Sequence, residues 1–154
     1  MHRRSIPLRH LLVVAAVPLL MLPACGGDGG ATVDITLREF SVGASSASVE
    51  SGEVTFDATN EGPDDVHELV VVRITGDADI TSLPTGENGE VDEAGAGIEV
   101  VDEIEEFPVG ESASMTVELE AGSYALICNV VQEEPDGTIE AHFAEGMRTP
   151  FTVT

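Results

Sequence analysis

The sequence contains no Trp and no Lys, a single Tyr and five Phe among its 154 residues. With so few aromatic side chains, we expect a single domain whose core is built mainly from Val, Ile, Leu and Ala. Six Arg stand against 29 Asp and Glu, and the formal net charge is −23. This charge disfavours nucleic acids and anionic surfaces as partners and favours a basic protein or a cation. The alternative is that the acidic residues only keep the protein soluble and have no role in binding a partner.

The apolar run at residues 11–22 is too short to span a membrane, since a spanning helix needs about 20 apolar residues. It follows Arg3 and Arg4 and therefore predicts a signal peptide at residues 1–24. The run ends in Leu22-Pro23-Ala24-Cys25, which resembles the lipobox of bacterial lipoproteins. That resemblance implies cleavage before Cys25 and a lipid on its thiol. The alternative is an ordinary cleavage site and a soluble exported protein.

Cysteine is also scarce, because Cys25 and Cys128 are the only two in the chain. If Cys25 carries a lipid, Cys128 has no disulfide partner in this exported chain. Such a leftover Cys is a free reactive thiol, an intermolecular bridge or a metal ligand. The Gly-rich segment that follows Cys25 predicts a flexible tether at residues 25–31.

Alternation of apolar and polar residues recurs between turn signals along residues 32–154, and we expect this range to form the domain. The predicted strands lie at residues 33–38, 52–60, 66–74, 98–107, 112–120, 122–130 and 149–154. A continuous β-branched run makes the strand at residues 66–74 a central one, buried on both faces. About seven short strands without a convincing helix indicate an all-β domain, an antiparallel β-sandwich.

Two segments lack a lasting pattern. Residues 42–49 are small and polar and predict a loop with at most a short strand. Residues 76–97 hold five Gly, one Pro and several acidic residues. They predict a long acidic loop with at most one helical turn near residues 79–83. Loops of this length in a compact domain are usually functional or mobile.

The stretch at residues 124–147 carries the donor atoms of a candidate metal site. Cys128 ends an apolar run, His142 follows a polar turn, and Met147 lies five residues beyond His142. Thiolate, imidazole and thioether are the ligands of a blue-copper site, which combines one Cys and two His in a plane with a weak axial Met. The second imidazole must come from a distant segment, and His67, at the start of a predicted strand, is the candidate.

The chain resembles the cupredoxins, the plastocyanin-like type 1 copper proteins, over roughly residues 32–154. The matching motifs are His67-Glu-Leu-Val-Val, the run Gly-Ser-Tyr-Ala-Leu-Ile-Cys that ends at Cys128, and His142 followed by Gly146-Met147-Arg-Thr-Pro-Phe-Thr-Val153. The resemblance implies a Greek-key sandwich of seven to eight strands with one copper ion at one end. It implies His67, Cys128 and His142 as equatorial ligands and Met147 as the axial ligand.

One departure from the family concerns spacing: thirteen residues separate Cys128 from His142, where the smaller cupredoxins have only a few. The polar insertion at residues 132–137 is expected to bulge outward without disturbing the ligands. Three acidic residues lie near the ligands in sequence, and we expect them to be solvated or to support the ligands: Glu68, Glu140 and Glu145. A carboxylate in place of Met147 as axial ligand is the alternative.

The predicted function is that of an exported, lipid-anchored and monomeric type 1 copper protein that carries single electrons to a redox partner, which its charge predicts to be basic. Enzymatic activity is not expected. A binuclear copper centre needs a second Cys, a second copper centre needs further His, and no nucleophile–base pair stands out. The two rival hypotheses are a Cu(I) storage or delivery protein without a redox role, and a metal-free sandwich that serves as an interaction module.

Overall fold

The computed structural model describes residues 30–154, so the predicted signal peptide, Cys25 and most of the predicted tether lie outside the described residues. The described residues form eleven strands and one short helix. The elements are β1 (Ala31–Arg38), β2 (Ser41–Ala44), β3 (Ser48–Val49), β4 (Gly52–Asn60), β5 (His67–Ile74), β6 (Ile98–Phe107), β7 (Ser112–Leu119), β8 (Gly122–Ile127), β9 (Val131–Glu133), β10 (Ile139–Ala141), α1 (His142–Glu145) and β11 (Arg148–Val153). No helix in this range is long and apolar enough to cross a membrane.

Two main sheets pack face to face. Their strand orders are β2-β1-β4-β7 and β3-β11-β8-β5-β6, and β9 and β10 form a separate hairpin. Apolar side chains of both sheets meet in one core cluster. At its centre the rings of Phe56 in β4 and Phe151 in β11 pack edge to face, with centroids 5.6 Å apart. The predicted all-β sandwich is therefore confirmed, and its seven longer strands are the seven predicted ones.

The sheets are mixed, however, and not wholly antiparallel as predicted. β1 pairs in parallel with β4, and β11 pairs in parallel with β3. A parallel pair needs a crossover connection, and residues 39–51, which contain β2 and β3, form that connection between β1 and β4. The prediction missed this because the segment is small and polar and has no sustained alternation.

The long acidic loop at residues 76–97 packs against the outer face of the five-stranded sheet. Leu83 and Val91 of the loop are buried in a second apolar cluster with Val70 of β5. Val71, the next residue of β5, faces the main core instead. The prediction that β5 is buried on both faces is thus correct, and the loop is what covers its outer face.

The register of β5, β8 and β11 brings three strand ends together. Val70 of β5 and Arg148 of β11 both pair with Ile127, the last residue of β8. Because β8 runs antiparallel to both neighbours, its carboxyl end lies beside the amino ends of β5 and β11. The candidate ligands Cys128, His67 and Met147 occupy these three ends.

Candidate metal centre

His67 is the first residue of β5, and its side chain is fully buried. The turn that precedes it is held by Asn60, the last residue of β4, which is also fully buried. The Asn60 amide donates to the carbonyl oxygens of Asp65 at 2.8 Å and Phe107 at 3.0 Å. Its Oδ1 accepts the N–H of Gly62 at 2.8 Å. One side chain therefore ties the end of β4, the turn and β6 together directly in front of His67.

Replacing Asn60 with Ala should lower the free energy of unfolding by about 3 kcal/mol, because buried donors and acceptors that lose a partner cost about 1–3 kcal/mol each. Urea denaturation of the metal-free domain measures the loss. The control is Thr59→Ala, which removes only the side-chain hydrogen bond to Ser112 (2.9 Å) and should cost about 1 kcal/mol or less. Equal losses in the two variants would show that water replaces the Asn60 amide.

Cys128 directly follows β8, and its thiol is fully buried and free. The N–H of Cys128 donates to the carbonyl of Met147 at 3.0 Å, which continues the β8–β11 pairing to the ligands. Burial raises the pKa of the thiol to about 12. The thiol of the metal-free protein is therefore protonated at neutral pH, and a bound metal ion must displace that proton to gain a thiolate ligand.

His142 and Met147 are brought to one place by α1, a single turn that the sequence analysis did not predict. The N–H of His142 donates to the Val130 carbonyl at 3.0 Å, and the N–H of Met147 donates to the His142 carbonyl at 2.9 Å. Gly146 reverses the chain between them with a φ of 127°, a conformation that favours glycine. The polar insertion forms the β9–β10 hairpin and leaves His142 next to Cys128, as expected.

The donor atoms of His67, Cys128 and His142 form a compact, buried triangle. The two Nδ1 atoms are 3.2 Å apart, and the Cys128 Sγ lies 3.4 Å from His142 Nδ1 and 3.9 Å from His67 Nδ1. A point equidistant from the three atoms lies about 2 Å from each, a length typical of bonds between a metal ion and imidazole nitrogen. The spacing of the three donor atoms therefore suits a single metal ion.

The chemistry of the donor set matches a type 1 copper site, which takes two His, one Cys and a weak axial Met. Burial lowers the pKa of both imidazoles, so that His67 and His142 are neutral and each can offer a lone pair. The Met147 side chain is fully buried in the same core cluster as Cys128. The predicted ligands from two distant segments thus lie at one end of the sandwich.

The three acidic residues named as neighbours of the site take separate positions. Glu68 Oε1 accepts the N–H of Asn129 at 2.9 Å, and burial raises the pKa of this carboxyl to about 7. Glu140 Oε1 lies 3.6 Å from His142 Nε2, on the nitrogen that faces away from Cys128. Glu145 is exposed. Glu68 and Glu140 therefore lie beside the candidate ligand residues, in keeping with the expectation that such acids support the ligands. Glu145 is in keeping with the other expectation, that they are solvated.

Three residues that support the site were not predicted from the sequence: Glu39, Asn60 and Asn129. The Asn129 side chain accepts the N–H of Val91 at 2.6 Å and donates to the Val91 carbonyl at 3.1 Å, which joins the long loop to the residue after Cys128. Asn60 had a weak signal, since it ends a strand before a Gly-Pro turn. Glu39 and Asn129 had none, because their partners are distant in sequence.

Comparison with solved structures shows the cupredoxin fold. Reduced auracyanin from Roseiflexus castenholzii matches with a TM-score of 0.53 and 19% identity, over 82% of this chain and 99% of that one. Auracyanin A, described as a "blue" copper protein from Chloroflexus aurantiacus, matches with a TM-score of 0.53 and 18% identity, over 82% and 100%. Reduced rusticyanin matches with a TM-score of 0.52 and 17% identity, over 82% and 81%. Neither protein-family models nor curated protein sequences give a match.

Proposed function

We propose that this chain is a mononuclear type 1 copper protein that acts as a one-electron carrier. His67 and His142, through Nδ1, and Cys128, through Sγ, would hold the ion, with Met147 as the weak axial ligand. The buried triangle of donor atoms carries the proposal. Its mixture of soft sulfur and borderline nitrogen ligands suits both oxidation states of copper. The shared fold with auracyanin A, itself described as a blue copper protein, supports the choice of metal.

The chain's own contribution is a rigid and dry set of ligands. Backbone hydrogen bonds join the ligand segments, from Cys128 to Met147 and from Met147 to His142. The side chains of all four candidate ligands are fully buried, which excludes water from the donor atoms. A scaffold that keeps one ligand arrangement in both oxidation states keeps the reorganisation on electron transfer small. Bound copper would supply the Cu(I)/Cu(II) couple itself.

Addition of copper to the purified mature domain separates this proposal from its rivals. A type 1 site should bind one equivalent of Cu(II). The copper-loaded domain should then have an intense visible thiolate-to-copper charge-transfer band and a reversible redox couple. A Cu(I) storage or delivery protein should bind Cu(I) without forming a stable coloured Cu(II) form. A metal-free interaction module should bind neither ion. Absence of the visible band at full Cu(II) loading would rule out the proposed function.

Export and a lipid anchor on Cys25 belong to the same proposal, supported by the leader pattern at residues 1–24. In a bacterial host, the full-length chain should fractionate with membranes, whereas Cys25→Ala should appear in a soluble fraction or remain unprocessed. Fractionation and immunoblotting measure the difference. Cys128→Ala is the matched control, because it removes the other thiol and should stay with the membrane. A membrane-bound Cys25→Ala variant of processed size would contradict the lipid anchor.

We further propose that the carrier is a monomer and that its electron-transfer partner is basic. The support is charge: the 29 acidic residues all lie beyond the predicted leader, where only three Arg remain. The expectation that the chain is not an enzyme stays a prediction.

A further inference from the structure

The outer nitrogens of the two candidate His ligands are unpartnered. An imidazole that binds a metal through Nδ1 in its neutral form carries its proton on Nε2. Both Nε2 atoms are buried and lack a hydrogen-bond partner, and the same holds for Glu39 Oε2. In the described residues these three are the only buried side-chain polar atoms without one. Since such atoms are costly when left unpaired, their concentration at one site points to a common role.

Each Nε2 atom faces a carboxylate at the same distance. His67 Nε2 lies 3.6 Å from Glu39 Oε1, and His142 Nε2 lies 3.6 Å from Glu140 Oε1. The two acids come from unrelated segments, because Glu39 follows β1 and Glu140 belongs to β10 in the inserted hairpin. Each imidazole therefore has the donor triangle on its Nδ1 side and a carboxylate on its Nε2 side.

Both carboxylates are held by groups other than the imidazoles. Glu39 Oε1 accepts the backbone N–H groups of Asp64 at 3.0 Å and Asp65 at 2.7 Å. Burial by itself raises the pKa of Glu39, but these N–H donors outweigh it and the net pKa is lowered, so Glu39 is an anion. Glu140 Oε1 accepts the side-chain amide of Gln132 at 3.1 Å, across the hairpin.

We infer that Glu39 and Glu140 are positioning residues that accept the Nε2 protons of His67 and His142 when the site is loaded. The inference rests on the proposed function and names what fixes the ligands. A carboxylate behind a metal-bound imidazole fixes its tautomer and ring orientation and makes the ring a stronger ligand. Here both Nδ1 lone pairs are thereby directed to the same point. Two anions behind the ligands also favour Cu(II) over Cu(I), because the more highly charged ion gains more from them.

A second cation is the competing use of these carboxylates. Asp65, Glu140 and His142 offer donor atoms that all lie within 4.8 Å of one another. His142 can serve such a cation through Nε2 only by giving up the proton that this nitrogen carries when Nδ1 is bound to the first metal. The geometry therefore favours carboxylates that accept an N–H, and the stoichiometry of metal binding tests the point.

The experiment compares Glu39→Gln and Glu140→Gln with Glu145→Gln in the mature domain. Glutamine keeps one acceptor oxygen for the donors that hold each carboxylate, but it removes the charge and places an NH₂ group beside it. Glu145→Gln removes the same charge from an exposed position in α1 and is the matched control. Three quantities are measured: Zn²⁺ affinity by chelator competition, the reduction potential of the copper form, and exchange of the imidazole Nε2–H protons by NMR in the Zn²⁺ form.

We expect each of the two test variants to bind Zn²⁺ about 10- to 100-fold more weakly, the usual effect of losing such a partner. Each tenfold loss of affinity for Cu(II) that leaves the affinity for Cu(I) unchanged raises the reduction potential of the copper form by about 59 mV. The Nε2–H of His67 should exchange faster in Glu39→Gln, and that of His142 in Glu140→Gln. Glu145→Gln should match wild type in all three measurements.

The outcomes distinguish the inference from the function on which it rests. A wild-type domain that binds neither Zn²⁺ nor copper would overturn the proposed function. A wild-type domain that binds one ion, with test variants indistinguishable from Glu145→Gln, would overturn the positioning role alone. Binding of two Zn²⁺ ions that falls to one in Asp65→Asn would overturn it in favour of a second cation site. If Glu39→Gln does not fold by circular dichroism, the partly exposed Glu140 decides the question.

Discussion

Replacement of Cys128 with Ser is expected to abolish the intense visible absorption of the copper-loaded protein. The band arises from charge transfer between a thiolate and Cu(II), and a serine hydroxyl is neither a soft ligand nor ionised at neutral pH. The loss should be complete, because Cys128 is the only Cys in residues 25–154 other than the predicted lipid carrier. Visible spectroscopy of the wild-type and Cys128→Ser proteins at equal copper loading measures the loss of the band.

The control for this variant is Ala125→Ser. It places the same hydroxyl in a fully buried position of β8, the strand that Cys128 follows, but in the apolar cluster under the long loop and away from the donor triangle. It should lose stability and keep the band. A Cys128→Ser protein that remained as strongly coloured as Ala125→Ser would show that another residue supplies the chromophore.

Replacement of Met147 with Gln is expected to keep copper bound and the protein coloured while lowering the reduction potential. An axial thioether is a weak ligand that tunes the potential more than it holds the metal. The harder oxygen of glutamine favours Cu(II) over Cu(I), which shifts the couple downward. Voltammetry measures the change. The control is Met115→Gln in β7, since Met115 is the other Met beyond the predicted leader and lies half-buried in the four-stranded sheet.

The contrasting variant is His142→Ala, which removes an equatorial ligand. It should open the site to water, change the visible spectrum and respond to added imidazole, which can enter the space left by the ring. Met147→Gln should not respond to imidazole. An unchanged potential in Met147→Gln would contradict the axial role, and Glu68, the half-buried acid next to His67, would then be the first alternative to test.

Most of the sheet framework could be predicted because alternation is a local property of the chain. Val54, Phe56 and Ala58 point one way in β4 and are all fully buried, as their spacing predicts. The parallel pairing of β1 with β4 was not predictable in this way, because alternation defines a buried face but not the partner strand. The same limit applies to the loop at residues 76–97. Its buried residues, Leu83 and Val91, are isolated among Gly and acidic residues.

The supports of the metal site were the least predictable part. Glu39 reaches His67 only because β1 ends and β5 begins at the same end of the sandwich, and Asn129 reaches Val91 across 38 positions. A carboxylate or an amide at a single position has no local signal of the partner that it will meet. The four-residue helix that carries His142 could not be predicted either, since one turn is too short to show a helical period.

The sequence by itself determined the chemistry of this protein: an acidic all-β domain with one thiol, two imidazoles and one thioether in the segments that the site requires. Residue types and alternation are properties of the chain that need no fold to be recognised. Only the tertiary structure decided that these donors meet, because His67 lies 61 positions from Cys128 and 75 from His142. The antiparallel register of β5, β8 and β11, together with the turn of α1 that carries His142, closes those distances to 3.9 and 3.2 Å between donor atoms. The tertiary structure also decided which carboxylates lie behind the imidazoles, and these carboxylates set the electrostatic field that a bound metal ion would experience.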